Sequence, residues 1–304
     1  MDEDQLATPE QTDELEERER LLFADPADRP RDGATVIRLR SDRLSLETFA
    51  PIFVDLLGLI RADATHLCQQ ESGILLDNVE HGLAEQVAKT LQAQSEDCFV
   101  VAAGEIMSLP RPRQVINLQF TKAGIALGNA TGEPTQVGWD EVAALAVAHV
   151  PVETTQKKTS SNMLMANVGM GFAVGGLAGA VAMGALNPAI NTRTVKSSSM
   201  HQFLDLASRD GSLYFRIDAR QFDYKVLGDQ LQAGSTANIL TLTRWLLTYM
   251  PAIKTNLDAE QVKAKGTAPL AVHSPHGLEQ VSQWLLNLAK FGKTPLPPRE
   301  HRQY

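Results

Sequence analysis

The fold of this chain is decided by three consecutive segments, VINLQF (115–120), GIALGN (124–129) and QVGWDEVAALAVAHV (136–150). In each of them, apolar and β-branched residues recur with the spacing of strands, and short polar or glycine-containing turns separate them. Two more strands are predicted further along, HQFLDLAS (201–208) and SLYFRID (212–218), on either side of the turn RDG. The sequence therefore predicts a β-rich domain in the second half of the chain.

A helix is predicted to close this β domain. The segment TANILTLTRWLLTYM (236–250) repeats isoleucine and leucine at helical spacing, which is typical of an amphipathic helix with one apolar face. Trp245 lies in this helix and Trp139 lies in the third strand segment. We expect both tryptophans to be structural core residues, with Trp139 at least half buried and anchoring the β domain.

This arrangement resembles the pleckstrin-homology-like (PH-like) barrel. The resemblance covers residues 114–251 and is carried by GIALGN…QVGWDEVAALAV (124–147) and by LDLASRDGSLYFRIDARQFDY (204–224) followed by the closing helix. The lipid-binding members of that superfamily use a Lys/Arg cluster between their first two strands, where this chain has TKAG with Lys122 alone. The resemblance therefore implies the fold but not phosphoinositide binding.

The first half of the chain carries a smaller set of elements over residues 35–105, in the order strand, helix, helix, strand, helix, strand. Alternating apolar residues indicate the strands, and apolar residues three and four apart indicate the helices. In chain order the segments are VIRL (36–39), LETFAPIFVDLLGL (46–59), RADATHLCQQ (61–70), GILL (73–76), GLAEQVAKTLQAQ (82–94) and CFVVAA (98–103). GILL is either a short strand or an extended link. The sequence predicts a small βααβαβ domain and an α+β protein overall.

This order resembles the C-terminal domain of the bacterial ribosomal stalk protein. The matching stretches are DLLGLIRADATHL (55–67) and ILLDNVEHGLAEQVAKTLQAQ (74–94) within residues 35–105. In the stalk protein, lysines on the second helix recruit translation factors. The corresponding segment here, IRADATHLCQQ (60–70), has no lysine, so the resemblance implies the fold and not the binding of translation factors.

The remaining segments are predicted to be linkers, tails and an insertion. LPRPRQ (109–114) is rich in proline and arginine, which indicates a domain boundary and two separate folding units. The full predicted organisation is a disordered acidic tail (1–34), the βααβαβ domain (35–105), a linker (106–113), the PH-like β domain (114–251) with an insertion (159–192), and a C-terminal region (252–304) containing an amphipathic helix (276–291) and a disordered end.

The insertion is the segment whose composition most suggests contact with a membrane or a hydrophobic partner. It contains MLMANVGMGFAVGGLAGAVAMGALNPAI (163–190) and carries no charge between Thr159 and Thr192. Its glycines recur at four-residue spacing, which lets helices approach closely in membranes. Three interpretations stay open: a membrane span, reversible contact with lipid or a hydrophobic partner, and a flexible or protein-packed insertion. The candidate contact residues are Gly171, Phe172, Gly175, Leu177 and Gly179.

Bulk composition narrows the choice of partners. The formal net charge is −8, which argues against general binding to nucleic acid because such binding needs a basic surface. The two cysteines, Cys68 and Cys98, are too few for a disulfide framework. The acidic first twenty residues lack the apolar stretch of a secretory signal. We therefore expect a cytoplasmic protein, peripheral to a membrane if the insertion meets lipid.

The sequence suggests no catalytic, cofactor-binding or metal-binding residues. His273 and His276 form an H-x-x-H pattern, but zinc needs three or four ligands. Asp140 and Glu141 are adjacent, so in a strand their side chains would point to opposite faces. GMGFAVGG (169–176) loosely resembles a dinucleotide-binding loop, but it follows a polar segment instead of a buried strand. No metal and no cofactor are expected.

One charged pattern suggests a binding edge. The signs alternate at Arg216, Asp218, Arg220, Asp223 and Lys225, which favours a solvated strand edge with cross-strand pairs. Such an edge could also add a peptide as an extra strand.

The leading hypothesis for function is a non-catalytic interaction or adaptor protein with an unknown protein partner, because both resemblances are to folds that commonly serve as binding modules. The alternatives are a peripheral membrane protein that makes contact through the insertion, and an enzyme with a site that the sequence does not reveal.

Overall fold

A computed structural model describes residues 33–70, 72–129, 132–160, 191–257, 270–271 and 274–296 of the 304-residue chain. The fold is α+β, as the sequence predicts. The chain divides into two compact units, one formed by residues 1–150 and 201–304 and the other by Pro151–Met200. The elements of residues 34–102 and the C-terminal helix belong to the first unit, whereas two strands of the β domain, Val142–Ser160 and Asn191–Ser208, extend from the first unit into the second.

The N-terminal domain has the predicted order of elements. A three-stranded antiparallel sheet has β1 in the centre, between β2 and β3. The elements are β1 (Ala34–Arg38), α1 (Leu46–Leu57), α2 (Arg61–Gln69), β2 (Ile74–Val79), α3 (His81–Ala93) and β3 (Cys98–Ala102), followed by a 3₁₀ turn (Ala103–Glu105).

Local chemistry sets the bounds of α1. The Ser45 side chain accepts a hydrogen bond from the Thr48 backbone N–H at 3.4 Å, and it thereby caps the first turn. Gly58 ends the helix with φ of 66°, a left-handed conformation that glycine adopts without steric cost. The apolar faces of the three helices, including Phe53 of α1 and Leu91 of α3, are buried in one core with Val36 of β1.

The β domain consists of two sheets. The first has the order β11-β8-β9-β10-β4 with β12 also paired to β8, and the second has the order β5-β6-β7. The strands are β4 (Arg113–Val115), β5 (Asn117–Phe120), β6 (Gly124–Gly128), β7 (Thr135–Gly138), β8 (Val142–Ser160), β9 (Asn191–Ser208), β10 (Tyr214–Asp218), β11 (Lys254–Thr255) and β12 (Leu270–Ala271).

Two predicted strands are each divided between the sheets. VINLQF is interrupted at Ile116, so β4 lies in the first sheet and β5 in the second. A turn at Trp139–Glu141 likewise separates β7 from β8. The described strands therefore form two sheets that the chain joins twice, and they do not form one closed barrel.

The closing helix is α4 (Ser235–Tyr249). Ile239, Leu242 and Leu246 of this helix are fully buried in one core with Leu145 of β8 and Leu204 of β9. The predicted helical spacing in this segment thus matches the face that the helix buries. A second 3₁₀ segment (Tyr224–Gln230) precedes α4.

The last helix, α5, spans Pro275–Lys290. Both of its ends lie one residue earlier in the chain than those of the predicted helix, 276–291. Ser274 caps its N-terminus by accepting a hydrogen bond from the Gly277 backbone N–H at 3.0 Å. Leu278, Val281 and Leu285 are fully buried. This helix packs against both domains, as the contacts described below show.

Candidate interaction site

A cleft of about 350 Å³ lies between α2, β2 and α5. Helix α2 and the residues beside it contribute one wall, β2 contributes a second, and α5 contributes Gln280 and Gln283. We call it the β2 cleft. Its lining residues are Leu59, Asp63, His66, Leu67, Gln70, Ser72, Ile74, Leu75, Leu76, Asp77, Gln280 and Gln283.

The cleft runs along the free edge of a sheet. It is lined by four consecutive residues of β2, 74–77. A register shift at Leu75 interrupts the alternation of side chains, so Leu75 and Leu76 are both buried in the domain core while Asp77 is exposed. A cleft that meets all four lies along the strand's edge and is not confined to one face. Within the described residues β2 pairs only with β1, so its other edge has no strand partner there.

The chemistry of the cleft is acidic and amide-rich above an apolar floor. Leu67 and Leu75 are buried at its base, while Asp63 and Asp77 supply carboxylates. The Thr35 hydroxyl donates a hydrogen bond to Asp77 Oδ1 at 2.9 Å, which orients this carboxylate. Apart from His66, no basic residue is among the lining residues.

Helix α5 is held in place by one buried tryptophan. Trp284 is 1% exposed, and its indole N–H donates a 2.8 Å hydrogen bond to the Arg38 backbone carbonyl at the end of β1. Its ring lies directly against Gly73, where any larger residue would collide with it. The absence of a side chain at Gly73 therefore lets α5 approach β2 closely enough to form a wall of the cleft.

The segment between the two domains is also bound to α5. The Asn287 side chain accepts a hydrogen bond from the Met107 backbone N–H at 2.8 Å and donates one to the Met107 carbonyl at 3.0 Å. Lys290 donates a hydrogen bond to the Glu105 carbonyl. The predicted linker (106–113) thus begins against a helix, and separate folding of the two domains stays a prediction.

A buried arginine organises the end of β1. Arg38 is 1% exposed, and its guanidinium contacts Glu96 at 2.8 Å and donates to the Asp42 carbonyl oxygen at 2.8 Å. A buried charge is tolerated only when it is paired and hydrogen-bonded. These contacts hold the end of β1 in place, and the Arg38 carbonyl there accepts the hydrogen bond from the Trp284 indole.

Both tryptophans that the sequence predicts to be core residues lie in one aromatic cluster of the β domain. Trp139 stacks on Tyr249 with ring centroids 4.8 Å apart, and Phe120 lies 5.6 Å from Trp245. Trp139 and Trp245 are partly buried and pack against the β-domain core, while Tyr249 is 52% exposed. Trp139 lies in the turn before β8 and not in a strand.

The prediction of a solvated edge at the alternating charges is wrong for the strand itself. β10 lies between β9 and β4, so it is not an edge of its sheet. Arg216 and Asp218 are buried, at 4% and 6% exposure. Arg220, Asp223 and Lys225 follow the strand and are exposed. A peptide cannot add to β10, because β10 already has a neighbour on each side.

Arg216 instead belongs to a buried network. Its Nε and Nη2 donate to the two oxygens of Asp205 at 2.8 and 2.7 Å. The Tyr214 hydroxyl donates to the same carboxylate, as does Ser282 of α5 at 3.3 Å. Arg216 also lies 3.5 Å from Glu279 of α5. This network joins the β domain to the helix that lines the β2 cleft.

The protonation of the network suits a structural role. Burial raises the pKa of Tyr214, and the Asp205 carboxylate raises it further. Burial lowers the pKa of Arg216, but its hydrogen bonds to Asp205 outweigh this effect and raise that pKa above its usual value. Burial raises the pKa of Asp205, and the hydrogen bonds from Arg216 oppose this rise. Tyr214 and Arg216 therefore keep their protons near neutral pH.

The other predicted site residues fall outside the described part of the chain. Gly171, Phe172, Gly175, Leu177 and Gly179 of the insertion lie there, as does His273. In the part that the structure describes, no group of three or more His, Cys, Asp and Glu could hold a metal ion. None of the helices described is both long and apolar enough to cross a membrane.

Sequence patterns alone did not single out the residues of the β2 cleft. Asp63 and His66 lie in a predicted helix whose one noted feature is the lack of lysine, and Asp77, Gln280 and Gln283 belong to no motif. A usable signal is the strand at 74–79, because each outer strand of an open three-stranded sheet has one edge without a strand partner.

No known protein family, curated protein or solved structure matches this chain. The resemblances to the PH-like barrel and to the stalk-protein domain therefore stay predictions.

Proposed function

We propose that this chain is a non-catalytic interaction or adaptor protein that binds an extended polypeptide of a protein partner by strand addition along β2. The observation that carries the proposal is the β2 cleft, which lies beside the unpaired edge of a three-stranded sheet within the described residues. Strand addition combines main-chain hydrogen bonds for affinity with side-chain contacts for specificity.

The dimensions of the site support this mode of binding. A strand rises about 3.3 Å per residue, so the four cleft residues of β2 span roughly 13 Å and could pair with a peptide of four to six residues. The apolar floor at Leu67 and Leu75 offers burial to one side of such a peptide. The amides of Gln70, Gln280 and Gln283 can donate and accept hydrogen bonds at the rim.

The other outer strand of the same sheet is less accessible. Phe291 packs on Phe99 of β3 at 5.9 Å between ring centroids, and Lys293 lies 5.4 Å from the same ring. The segment after α5 therefore covers part of β3, whereas β2 borders an open cleft. This difference makes β3 an internal control for binding at β2.

The experiment is hydrogen exchange measured by mass spectrometry on the full chain. The probes are three capped octapeptides in which valine alternates with threonine, with lysine or with glutamate. We expect at least one of them to slow exchange in residues 74–79 and to leave residues 98–102 unchanged. The same peptide with alternate backbone amides N-methylated should not bind, because it keeps its side chains but loses its hydrogen-bond donors. If none of the three peptides protects β2, the proposed function fails.

We also propose that the two domains are a stalk-like βααβαβ domain and a PH-like β domain. The order of elements over residues 34–102 supports the first. The second is supported by the closing helix α4 and by the two points where the chain passes from one sheet to the other, since barrels and orthogonal sandwiches turn corners in this way. Determining an experimental structure of the full chain would test it.

A second candidate function is contact with a membrane surface or a hydrophobic partner through residues 163–190, on a cytoplasmic protein. It is favoured by the position of this apolar segment, which joins β8 to β9, two strands that are neighbours in one sheet. Both ends of the segment are thereby held by ordered strands. Liposome flotation should detect binding that is lost when residues 160–194 are replaced by a short Gly/Ser linker. Flotation that persists in this variant would exclude the segment as the contact.

A further inference from the structure

We infer that the peptide bound along β2 carries lysine or arginine, and that the Asp63 and Asp77 carboxylates select it. This inference rests on the proposed function and adds the chemical class of the partner. It concerns the sign of charge that the β2 cleft accepts, whereas the proposed function concerns only the main-chain pairing.

The electrostatics of the lining residues carry the inference. Two carboxylates, Asp63 of α2 and Asp77 of β2, face the cleft, and the only lining residue that can become positive is His66. Helix α5 contributes the neutral amides of Gln280 and Gln283 to the lining. Complementary charge sets specificity and association rate at interfaces, and like charges oppose binding. A cationic peptide is therefore favoured and an anionic one is disfavoured.

The two carboxylates come from different walls of the cleft. Asp77 is held by the Thr35 hydroxyl at 2.9 Å, and Asp63 lies in the first turn of α2, where a negative charge is favourable. Both positions are therefore defined by the fold. We therefore expect basic side chains of the peptide near Asp63 and Asp77, and aliphatic side chains near Leu67 and Leu75.

Charge also bears on whether a terminal segment of this chain could bind in the β2 cleft in place of a partner peptide. The first twenty residues are rich in Asp and Glu, so they would be repelled by Asp63 and Asp77. The end of the chain, PPREHRQY (297–304), is basic and is the one terminal segment with matching charge. It starts beyond Leu296, whose backbone N–H donates to the Leu39 carbonyl at 2.7 Å. The Leu39 N–H in turn donates to the Asp97 carbonyl on the β3 side of β1, so Leu296, the last described residue, is bonded to a residue that itself pairs on the β3 side.

The test measures affinities of the full chain for the three octapeptides by fluorescence anisotropy at low salt. The valine–lysine peptide should bind most tightly and the valine–glutamate peptide most weakly. Asp63→Asn and Asp77→Asn should each weaken binding of the lysine peptide by about two- to fivefold, which is the range for partly exposed ion pairs. The double variant should bind the lysine and threonine peptides equally well. Asn keeps the shape of Asp and can still accept the hydrogen bond from Thr35, so these variants should fold normally.

The matched control is Asp55→Asn. Asp55 is an exposed carboxylate on α1 of the same domain, outside the lining of the cleft. This variant should bind the lysine peptide as the unmodified chain does. A rise in ionic strength should weaken binding of the lysine peptide more than binding of the threonine peptide, because salt screens the attraction between the lysines and the carboxylates.

Each other outcome is decisive. Equal affinity for the lysine and threonine peptides, with β2 still protected from exchange, would overturn the charge inference and leave the proposed function standing. If Asp63→Asn and Asp77→Asn bind the lysine peptide as tightly as the Asp55→Asn control does, these two carboxylates do not select the peptide and the inference is overturned. Binding that appears only after residues 297–304 are removed would show that the chain's own tail occupies the cleft, and would overturn the assignment of the cleft to a partner peptide. If no peptide binds at all, the inference and the proposed function fail together.

Discussion

Replacing Gly73 by alanine should drive Trp284 out of its buried position and destabilise the whole chain. A Cβ atom at residue 73 would lie 2.0 Å from the indole Nε1 and 2.4 Å from two ring carbons. The backbone of Gly73 is not in the left-handed region, so alanine meets no conformational strain there. The entire effect of the substitution is therefore steric and acts through Trp284.

The magnitude follows from the shift that the ring must make. To reach an ordinary contact of 3.4 Å from 2.0 Å, the ring has to retreat by about 1.4 Å, which breaks its 2.8 Å hydrogen bond to the Arg38 carbonyl. Overpacking of a core costs roughly 1–3 kcal/mol, and leaving a buried donor unsatisfied costs about 1–3 kcal/mol. We expect Gly73→Ala to lower the free energy of unfolding by roughly 2–6 kcal/mol.

Urea denaturation followed by circular dichroism measures this change. With an m value of about 2.5 kcal/mol per molar urea, the midpoint should fall by roughly 1–2 M. Gly104→Ala is the matched control, because a Cβ atom there meets nothing within 4 Å. This variant should change the free energy of unfolding by less than about 0.5 kcal/mol.

A double-mutant cycle isolates the contact. Trp284→Ala alone should cost roughly 3–5 kcal/mol, because it removes a large buried ring. Adding Gly73→Ala to that variant should cost almost nothing, since the ring with which the new methyl group collides is gone. The reasoning is refuted if Gly73→Ala costs less than about 0.5 kcal/mol in the unmodified chain, or if it costs the same with and without Trp284.

Three further predictions concern single groups. Arg216→Met should cost roughly 3–5 kcal/mol in urea denaturation, because it strands the buried Asp205 carboxylate, and an unchanged midpoint would contradict this. Burial raises the pKa of Cys68 to about 11 and that of Cys98 to about 12, so neither should react with a thiol reagent at pH 8 until the chain unfolds. Rapid labelling of the native protein would show that prediction to be wrong. Hydrogen bonds from two serine side chains lower the pKa of Asp210 from 3.8 to about 2. Its stabilising effect is therefore present above pH 4 and is lost as the pH falls towards 2, so the difference in melting temperature between the chain and Asp210→Ala should shrink over that range.

The sequence by itself predicts the local elements, because their signals are local. The spacing of Val87 and Leu91 predicts α3, and both residues are buried as the helix requires. Gly58 predicts the break between α1 and α2, and it ends α1 in a left-handed conformation. The order strand, helix, helix, strand, helix, strand and the α+β class follow from such signals alone.

Sequence patterns are less informative where one pattern is compatible with two environments. Alternating charges around Arg216 are typical of a solvated edge, and a buried strand that pairs each charge has the same sequence. Only the neighbours of β10 in the sheet distinguish the two cases. The sequence predicts Trp139 in a strand for a similar reason, because apolar residues alternate on both sides of the turn that contains it.

Only the tertiary structure decided the candidate site. The β2 cleft brings residues 59–77 together with Gln280 and Gln283, which are about two hundred positions away in the chain. Their meeting depends on Trp284 resting against Gly73 and on the hydrogen bond to Arg38. Periodicity specifies which face a helix buries, because burial follows from the chemistry of that helix alone. Which other surface covers that face depends on the fit between distant elements, so it emerges only when the whole chain is folded.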